Sequence, residues 1–437
     1  MGLLSGLNAL LDRLDSEHHG PSYREVILKE YYYLMPISCI YNSLRGWWRV
    51  FTTVQFWTYM TILIVHALLL GISSVYLFEI SFVLFNQAIH FMILLTLAAS
   101  VLICALRGRK ELAICHRSIY EGFFDYHEQV GTDAALRIHQ EMMAERSILL
   151  KLPLAVGLVV GTIVVAAPFL DDYGTFSVSE IQLDYVDTEV PVPMYYPFLR
   201  ENKFLELVLA ALELAAASIT GIVIAVGGLA YSLMVQNAVK QYKIMLDKVY
   251  NLETRAKELY RKESGLKPPS DDYKLYKDLV FRKCYVACLK KICHHHQRII
   301  KYCDAMARVL NVPLFIVYSG GSLIIAFSMI TTTAGKQLPG TATAGVIVCI
   351  TEVIYMFLFS FLGQRVTDLC KEFRESLYTL KWYECDAEVR SDLLIMQTAT
   401  KQAFVLSMFG MMPANFETFA AIMNSAYSFY NLVVAMD

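Results

Sequence analysis

Three groups of residues in this chain have side chains that could do chemistry. The first is Cys284, Cys288 and Cys293 with the run His294-His295-His296. Thiolate and imidazole are zinc ligands, but three consecutive His point around a helix rather than converging, and no Cys-x-x-Cys pair exists. A helix packing its His and Cys against neighbours is the simpler reading, so no metal or other cofactor is expected. The second group is Glu213 and Glu352, two carboxylates in separate apolar segments without an evident His or metal partner. Structural hydrogen bonding is expected of them rather than acid-base work, and the chain is not expected to be an enzyme. The third is the C-terminal stretch NFETFAAIMNSAYSFYNLVVAMD, which carries Glu417, Asn424, Ser425, Ser428 and Asn431 into an otherwise apolar helix. Polarity at membrane depth normally faces protein or water. Ser428, Leu432 and Met436 share one face at i, i+4 and i+8, polar deeper down and apolar at the outer end, as a water-filled path closed by a hydrophobic constriction requires. A helix packed inside a bundle accounts for the same residues equally well.

The elements that position these groups follow from composition. Of 437 residues, 56% are hydrophobic and 18% charged, against roughly 45 to 50% and about 25% in soluble domains. The apolar residues gather into seven blocks, at 51–75, 80–106, 152–170, 204–234, 309–331, 342–362 and 412–436. Each is long enough to cross a hydrocarbon core of about 30 Å at about 1.5 Å per residue. The fold class is therefore an all-α membrane protein with seven transmembrane helices. Of the 38 Lys and Arg, all but Arg200, Lys203 and Lys336 fall on the side of residues 1–50. Lys and Arg are retained in the cytoplasm, which predicts a cytoplasmic N-terminus and an extracellular C-terminus. MGLLSGLNALLDRL lacks a basic front and a cleavage site, so the first span is expected to direct insertion. The net charge of -2 and the lack of any phosphate-binding loop or basic arm exclude a nucleic-acid partner.

Residues 1–50 form a cytoplasmic N-terminal segment, whose Leu3, Leu4, Leu7, Leu10, Leu11 and Leu14 share an apolar face that fits either the membrane surface or the cytoplasmic helical bundle. Spans one to four occupy 51–234, a cytoplasmic helical anchor 235–308, spans five and six 309–362, a further anchor helix 363–411 and the last span 412–437. In the anchor, Met245, Val249, Leu252, Ala256 and Leu259 have the 4-3-4-3 spacing of a helix seam. LKPPSDD at 266–272 breaks it, and a second helix runs through Leu289, Ile292, His296, Ile299, Cys303 and Met306 into the fifth span. Phe373, Leu377, Leu380, Leu393 and Met396 continue the helical pattern, and Pro413 closes it. Apolar stripes this narrow bury incompletely within one chain, which predicts oligomerisation.

Five blocks carry a family resemblance. NFETFAAIMNSAYSFYNLVVA resembles the C-terminal signature of insect odorant receptors, a Ser-Leu-Glu-Thr-Phe block followed by Ser-Tyr-Ser-Tyr-Phe. SLYTLKWYE resembles the family's Ala-Tyr-x-x-x-Trp-Tyr segment, FLGQRV the Gly-containing end of the sixth span, CHHHQRII its Cys-x-x-His-Gln-x-Ile block and PMYYPF its Tyr-Pro-Phe before the fourth span. They occur in the family's order and cover the second half of the chain. Asn415 and Phe416 depart from the usual Ser-Leu. The end lacks the Thr-Tyr-hydrophobic-Gln-Phe of gustatory receptors, and the second cytoplasmic loop lacks the basic-aromatic segment of the shared co-receptor, so an odour-specific subunit is indicated.

The resemblance implies a tetrameric, odorant-gated, non-selective cation channel in the plasma membrane of olfactory sensory neurons. Its partners would be a small volatile ligand, the co-receptor of a heterotetramer, permeant cations and membrane lipid. It implies that Ser428, Leu432 and Met436 line the pore, and that the ligand sits in the outer half of the bundle among spans two to six. At that depth Phe85, Ile89, Val160, Val164, Val208, Leu212, Tyr318, Ile350 and Val353 supply apolar or aromatic walls, with Asn86 and His90 as hydrogen-bonding groups. Seven acids against two bases in the loop 170–203 fit either an acidic outer mouth that would concentrate cations or an ordinary solvated loop. A G-protein-coupled receptor would need the opposite topology and an Asn-Pro-x-x-Tyr turn, and a transporter would show internal repeats; neither is found.

Overall fold

The computed structural model describes residues 34–35, 37–40, 47–121, 123–126, 132–171, 186–187, 194–196, 203–333 and 339–436. Among these residues, regular structure is helical apart from two short strand pairs. A hairpin of α1 (Trp47–Ile80) and α2 (Phe82–Arg107) leads through Gly108 to α3 (Arg109–Glu121). After α4 (Thr132–Leu170), β1 (Val186–Asp187) pairs antiparallel with β2 (Met194–Tyr195). There follow α5 (Lys203–Tyr250), α6 (Leu252–Ser264), α7 (Asp272–Lys277), α8 (Leu279–Thr333) and α9 (Pro339–Tyr378). The chain closes with α10 (Ala387–Ala399), the antiparallel pair β3 (Ser407–Met408) and β4 (Met412–Pro413), and α11 (Phe416–Met436).

Each of the seven expected spans falls on one of α1, α2, α4, α5, α8, α9 and α11. Among the described residues α1, α2, α5, α8 and α9 are long and apolar enough to cross a membrane. On α1, Trp57, Leu68, Ile72 and Val75 are exposed. A helix apolar on its outward face as well as its inward one suits lipid, not water.

Three helices outrun the bilayer. At about 1.5 Å per residue, the 48 residues of α5, 55 of α8 and 40 of α9 reach roughly 72, 82 and 60 Å. Their polar ends, with α6, α7 and α10, form the anchor. The expected seam is its core: Met245, Val249, Leu252 and Ala256 are buried, as are Leu289, Ile292, Ile299 and Met306 of α8, Phe373 and Leu377 of α9, and Leu393 and Met396 of α10. The break at LKPPSDD has local causes. Gly265 ends α6 in the left-handed region, φ 68°, its N–H donating to Arg261 O, and Asp271 caps α7 by accepting from Tyr273 N.

Polar contacts then lock the anchor. Lys381 Nζ, in the turn after α9, donates to Asp272 (2.7 Å) and to Glu253 (3.1 Å). These bonds push the lysine up to about 12 and lower Asp272. Burial raises Glu253, but Lys257 and Lys381 outweigh it, and its net direction is down. The segment Phe123–Tyr126 lies across α8 as a strap. Arg298 donates to Phe123 O (2.5 Å), Lys291 to Tyr126 O (3.0 Å), and the buried Arg255 guanidinium sits 4.9 Å from the Tyr126 ring centroid.

His295 and His296 are buried and His294 exposed, so the run diverges around the helix. His295 lies 2.8 Å from Tyr126 Oη through Nδ1 and 3.1 Å from Gln241 Oε1 through Nε2, while the His296 ring packs on Phe373. Burial, then the neighbouring charges of His296 and Arg298, push His295 down to about 3; burial alone brings His296 to about 4. Both rings are therefore neutral near pH 7, and Gln241 Oε1 accepts from the Nε2–H tautomer of His295.

The last span differs from expectation. Met412 and Pro413 belong to β4, not to the helix, and Pro413 closes a hairpin rather than a helix. Phe409 (φ 52°) and Gly410 (φ 71°) turn the hairpin with two successive left-handed residues. Phe409 is held there by its N–H donating to Asn311 Oδ1 (2.6 Å) and by its ring, 5.5 Å from that of Phe315. Asn415 then caps α11, its Oδ1 accepting from Thr418 N at 2.8 Å. Asn and Ser are both good caps, which accounts for the departure from the family's Ser at that position. The hairpin approaches α9 at Gly363, where a Cβ would stand 2.3 Å from Ala414 O and 2.9 Å from Ala414 Cβ.

Backbone cannot yield as a flexible side chain can, so Gly363→Ala is expected to destabilise by about 1–3 kcal/mol and to lower the melting temperature of the purified protein; an unchanged melting temperature would mean that the hairpin gives way freely. Stability from His295 and His296 is full above the unfolded value of about 6.5 and is lost as pH falls below it. By pH 5 this amounts to about 2 kcal/mol per ring. Melting temperature should drop between pH 7.5 and 5, and His295→Gln should flatten the drop.

Candidate functional site

A cavity of about 960 Å³, partly open to the outside, runs along the bundle; α1, α2, α4, α5, α8 and α9 supply most of its wall, with Leu34, Ile40, Leu112 of α3 and Met194 of β2 at its margins. Its volume is at the upper end of the roughly 300–1,000 Å³ typical of small-molecule sites. Leucine, isoleucine, valine, alanine and glycine make most of the wall. Pro313, which interrupts the hydrogen-bond ladder of α8, lines it near the anchor, and Thr341 and Ala167 line it at the other end.

Polar groups enter this wall at a few places. Asn86 is 1% exposed and lines the cavity, and neither its amide N nor O has a hydrogen-bond partner among the described residues. The same holds for Ser328 Oγ on α8. The preceding residues of both, Phe85 and Phe327, bring their rings to 6.4 Å. Buried polar groups are normally paired; Asn86 and Ser328 are two unsatisfied groups in the wall. Gln87 donates to Thr341 Oγ1 (3.2 Å), and Thr341 Oγ1 donates to Asp171 (2.6 Å). Asp171 also accepts from Gly340 N and Thr341 N, and so caps α9.

Two carboxylates face the cavity. Glu213 is buried and accepts from Tyr196 Oη, which ties the chain just past β2 to α5. Glu352 of α9 is half-buried, and its Oε1 lies where a Cβ on Gly321 would be 2.9 Å away. No hydrogen bond or ion pair joins it to another described residue. Tyr355 and Phe359, one and two turns further along α9, line the same side, and Tyr231 of α5 stacks edge-on against Phe359 at 4.7 Å.

Of the eleven ligand residues expected from the sequence, Asn86 and His90 line this cavity. Phe85 sits behind Phe327, and Ile89 is half-buried on α2. Tyr318 is fully buried off the cavity, bonded to Ser360 Oγ at 2.7 Å, and Val353 packs against the core. Val208, Leu212 and Ile350 are exposed on the outer surface. The side chains of Val160 and Val164 lie outside the described residues. The reason is physical: a span apolar on every face offers no periodicity to say which face turns inward. Ser328, Glu352 and Gly321 had a signal, since polar or backbone-thin residues in an apolar span need a neighbour.

On α11, Ile422 and Ala426 are buried and Phe419, Met423 and Phe429 pack on the core, whereas Asn424, Ser425, Ser428, Asn431 and Leu432 are exposed. The polar face is thus turned away from the chain's own bundle. Ser428 Oγ returns to Asn424 O at 2.8 Å. The side chain of Met436, the leucine-rich segment 1–14 and most of the acidic loop lie outside the described residues.

Six of the seven membrane helices line a common cavity and α11 packs outside it, which defines an all-α membrane protein with an internal cavity. Comparison with known proteins agrees. Residues 81–427 match the family described as 7tm Odorant receptor, and the chain belongs to that family. It is 23% identical over 148 residues to Odorant receptor 85b of Drosophila melanogaster and 24% identical over 149 residues to Odorant receptor 22b of the same species. These matches cover 34% of this chain and 38% and 37% of those relatives, so the chain spans well under half their length. The insect olfactory receptor OR5 from Machilis hrabei superposes with a TM-score of 0.73 at 12% identity, over 95% of this chain and all of that one. Its complex with eugenol gives 0.66 with the same coverage.

Replacing Asn86 by Leu removes two orphaned polar atoms at similar volume, so stability should hold or rise by up to about 1 kcal/mol. The effective concentration of ligands carrying a hydroxyl or carbonyl should rise about tenfold, in line with one lost hydrogen bond of about 1.4 kcal/mol. A response curve that does not move would place the ligand's polar end elsewhere.

Proposed function

We propose that this odorant receptor is the odour-specific subunit of an odorant-gated, non-selective cation channel assembled with the shared co-receptor. In this reading it lies in the plasma membrane of olfactory sensory neurons, N-terminus and anchor in the cytoplasm and C-terminus outside. The volatile occupies the cavity, with Asn86 and His90 among its contacts, and Ser428, Leu432 and Met436 line the pore. Exposed apolar side chains on the anchor, Leu279, Tyr378, Leu394 and Ile395, are the surface through which subunits pack.

The observation that carries this reading is a chain of three rings. Phe327 is in the cavity wall, Phe85 packs on one side of it, and Phe429 of α11 lies 5.7 Å away on the other. Phe429 is the next residue after Ser428, so a ligand that displaces Phe327 pushes the helix that carries the proposed gate. The energy is limited. A volatile of about 10 to 15 heavy atoms at roughly 0.5 kcal/mol per atom binds with some 5 to 8 kcal/mol. Taking a gate from 1:99 to 99:1 needs about 5.5 kcal/mol of difference between states. One ligand therefore opens the channel in part.

The test is expression with and without the co-receptor, recording odour-evoked cation current with G-protein signalling blocked. Current that needs the co-receptor and survives the block is expected; loss under the block favours a G-protein-coupled mechanism, and surface labelling of an N-terminal tag would reverse the topology. Phe327→Ala should lower the maximal current several-fold while shifting the half-maximal concentration less.

A further inference from the structure

We propose that the cavity selects hydrophobic amines, received as ammonium ions by Glu352; this rests on the reading of the cavity as the odorant site. The residues lining the cavity include two carboxylates, Glu213 and Glu352, and no Lys or Arg. Glu213 already accepts from Tyr196 Oη. Glu352 has no donor or cation among the described residues. A carboxylate in an apolar enclosure is costly until something compensates it, and the cavity space beside it is where compensation can enter. The site is specific in shape, because Gly321 lets Glu352 lie directly against α8. It also has the second element of ammonium recognition. Tyr355 and Phe359 continue the face of Glu352 along α9, their rings 6.2 Å apart, and Tyr231 closes on Phe359 from α5. Aromatic faces beside a carboxylate stabilise an alkylammonium by cation–π attraction while the carboxylate supplies the counter-charge.

The rest of the wall sets the tail. Gly345 packs on Ser328, and from Gly345 to Glu352 is seven residues, about 10 Å along α9. The layer of Asn86 and Ser328 therefore lies about two helical turns from the carboxylate, separated from it by apolar wall. An alkyl amine of about six to ten carbons spans that distance, and the orphaned amide and hydroxyl can take a second polar group at its far end.

The experiment compares straight-chain primary amines with alcohols and methyl esters of equal length, on the complete receptor co-expressed with the co-receptor. Amines are expected to act at concentrations at least tenfold lower than the matching alcohols. Glu352→Gln keeps shape and removes the charge; it should raise the effective concentration of amines at least tenfold and leave that of alcohols within threefold. Currents to alcohols or esters with none to amines overturn the amine assignment and leave the odorant cavity standing. Equal loss for amines and alcohols in Glu352→Gln gives Glu352 a purely structural role and overturns it as well. Silence toward every volatile in receptors labelled at the cell surface removes both the assignment and the reading beneath it.

Discussion

Hydrocarbon offers no water to the backbone, so every peptide N–H and C=O that crosses it must be satisfied inside its own helix. In this helical chain a cavity at that depth is walled mainly by helices, and most of its chemistry comes from side chains. The length of α8 follows from this constraint and unites the molecule. Its membrane half carries Pro313, Gly321, Phe327 and Ser328 of the cavity wall, and its other half carries His295, His296 and Ile299 of the anchor core. Within this helix of 55 residues, Pro313 interrupts the hydrogen-bond ladder between the two halves, so the membrane half can adjust while the anchor half stays packed.

The anchor supplies the resistance that such a helix needs. Neutral, buried His295 pins the Phe123–Tyr126 strap to α8, and Lys381 ties the turn after α9 to α6 and α7. A ligand of a few kcal/mol cannot rearrange a core of this kind. Its effect is instead confined to the membrane half, where Phe327 stands between ligand space and Phe429. That division suits a receptor in which the anchor holds subunits together while the proposed gate moves.

Much of this was legible in the residues. Span positions follow from apolar length, and the seam from Met245 to Leu259 and the break at LKPPSDD follow from spacing and from Pro and Gly. The run of three His diverges in the structure as helical geometry requires. Two things were hidden. One is facing: Val208, Leu212 and Ile350 turn to the outer surface because lipid and cavity accept the same residue types. The other is the hairpin before α11: residues 405–411 read as the end of an anchor helix closed by Pro413, and Met412 and Pro413 as the start of the last span. Only the left-handed pair Phe409-Gly410 and the close approach of Ala414 to Gly363 reveal it, and both depend on contacts distant in the chain.

Polar groups at membrane depth divide by what satisfies them. Tyr318 with Ser360, Tyr231 with Phe359 O, and Asp171 on the first turn of α9 are closed by the protein itself. Such groups stabilise one packing and are indifferent to a ligand. Asn86 and Ser328 are buried without a partner in the cavity wall, and Glu352 beside the cavity has none among the described residues; an unpaired polar group in a low-dielectric setting is a larger energy term than any single apolar contact beside it. On the proposed reading of the cavity as the odorant site, specificity is concentrated in these three residues, while the surrounding aliphatic wall sets size. Affinity from the wall is shared by every volatile that fits; only the unpaired polar groups can tell one such volatile from another.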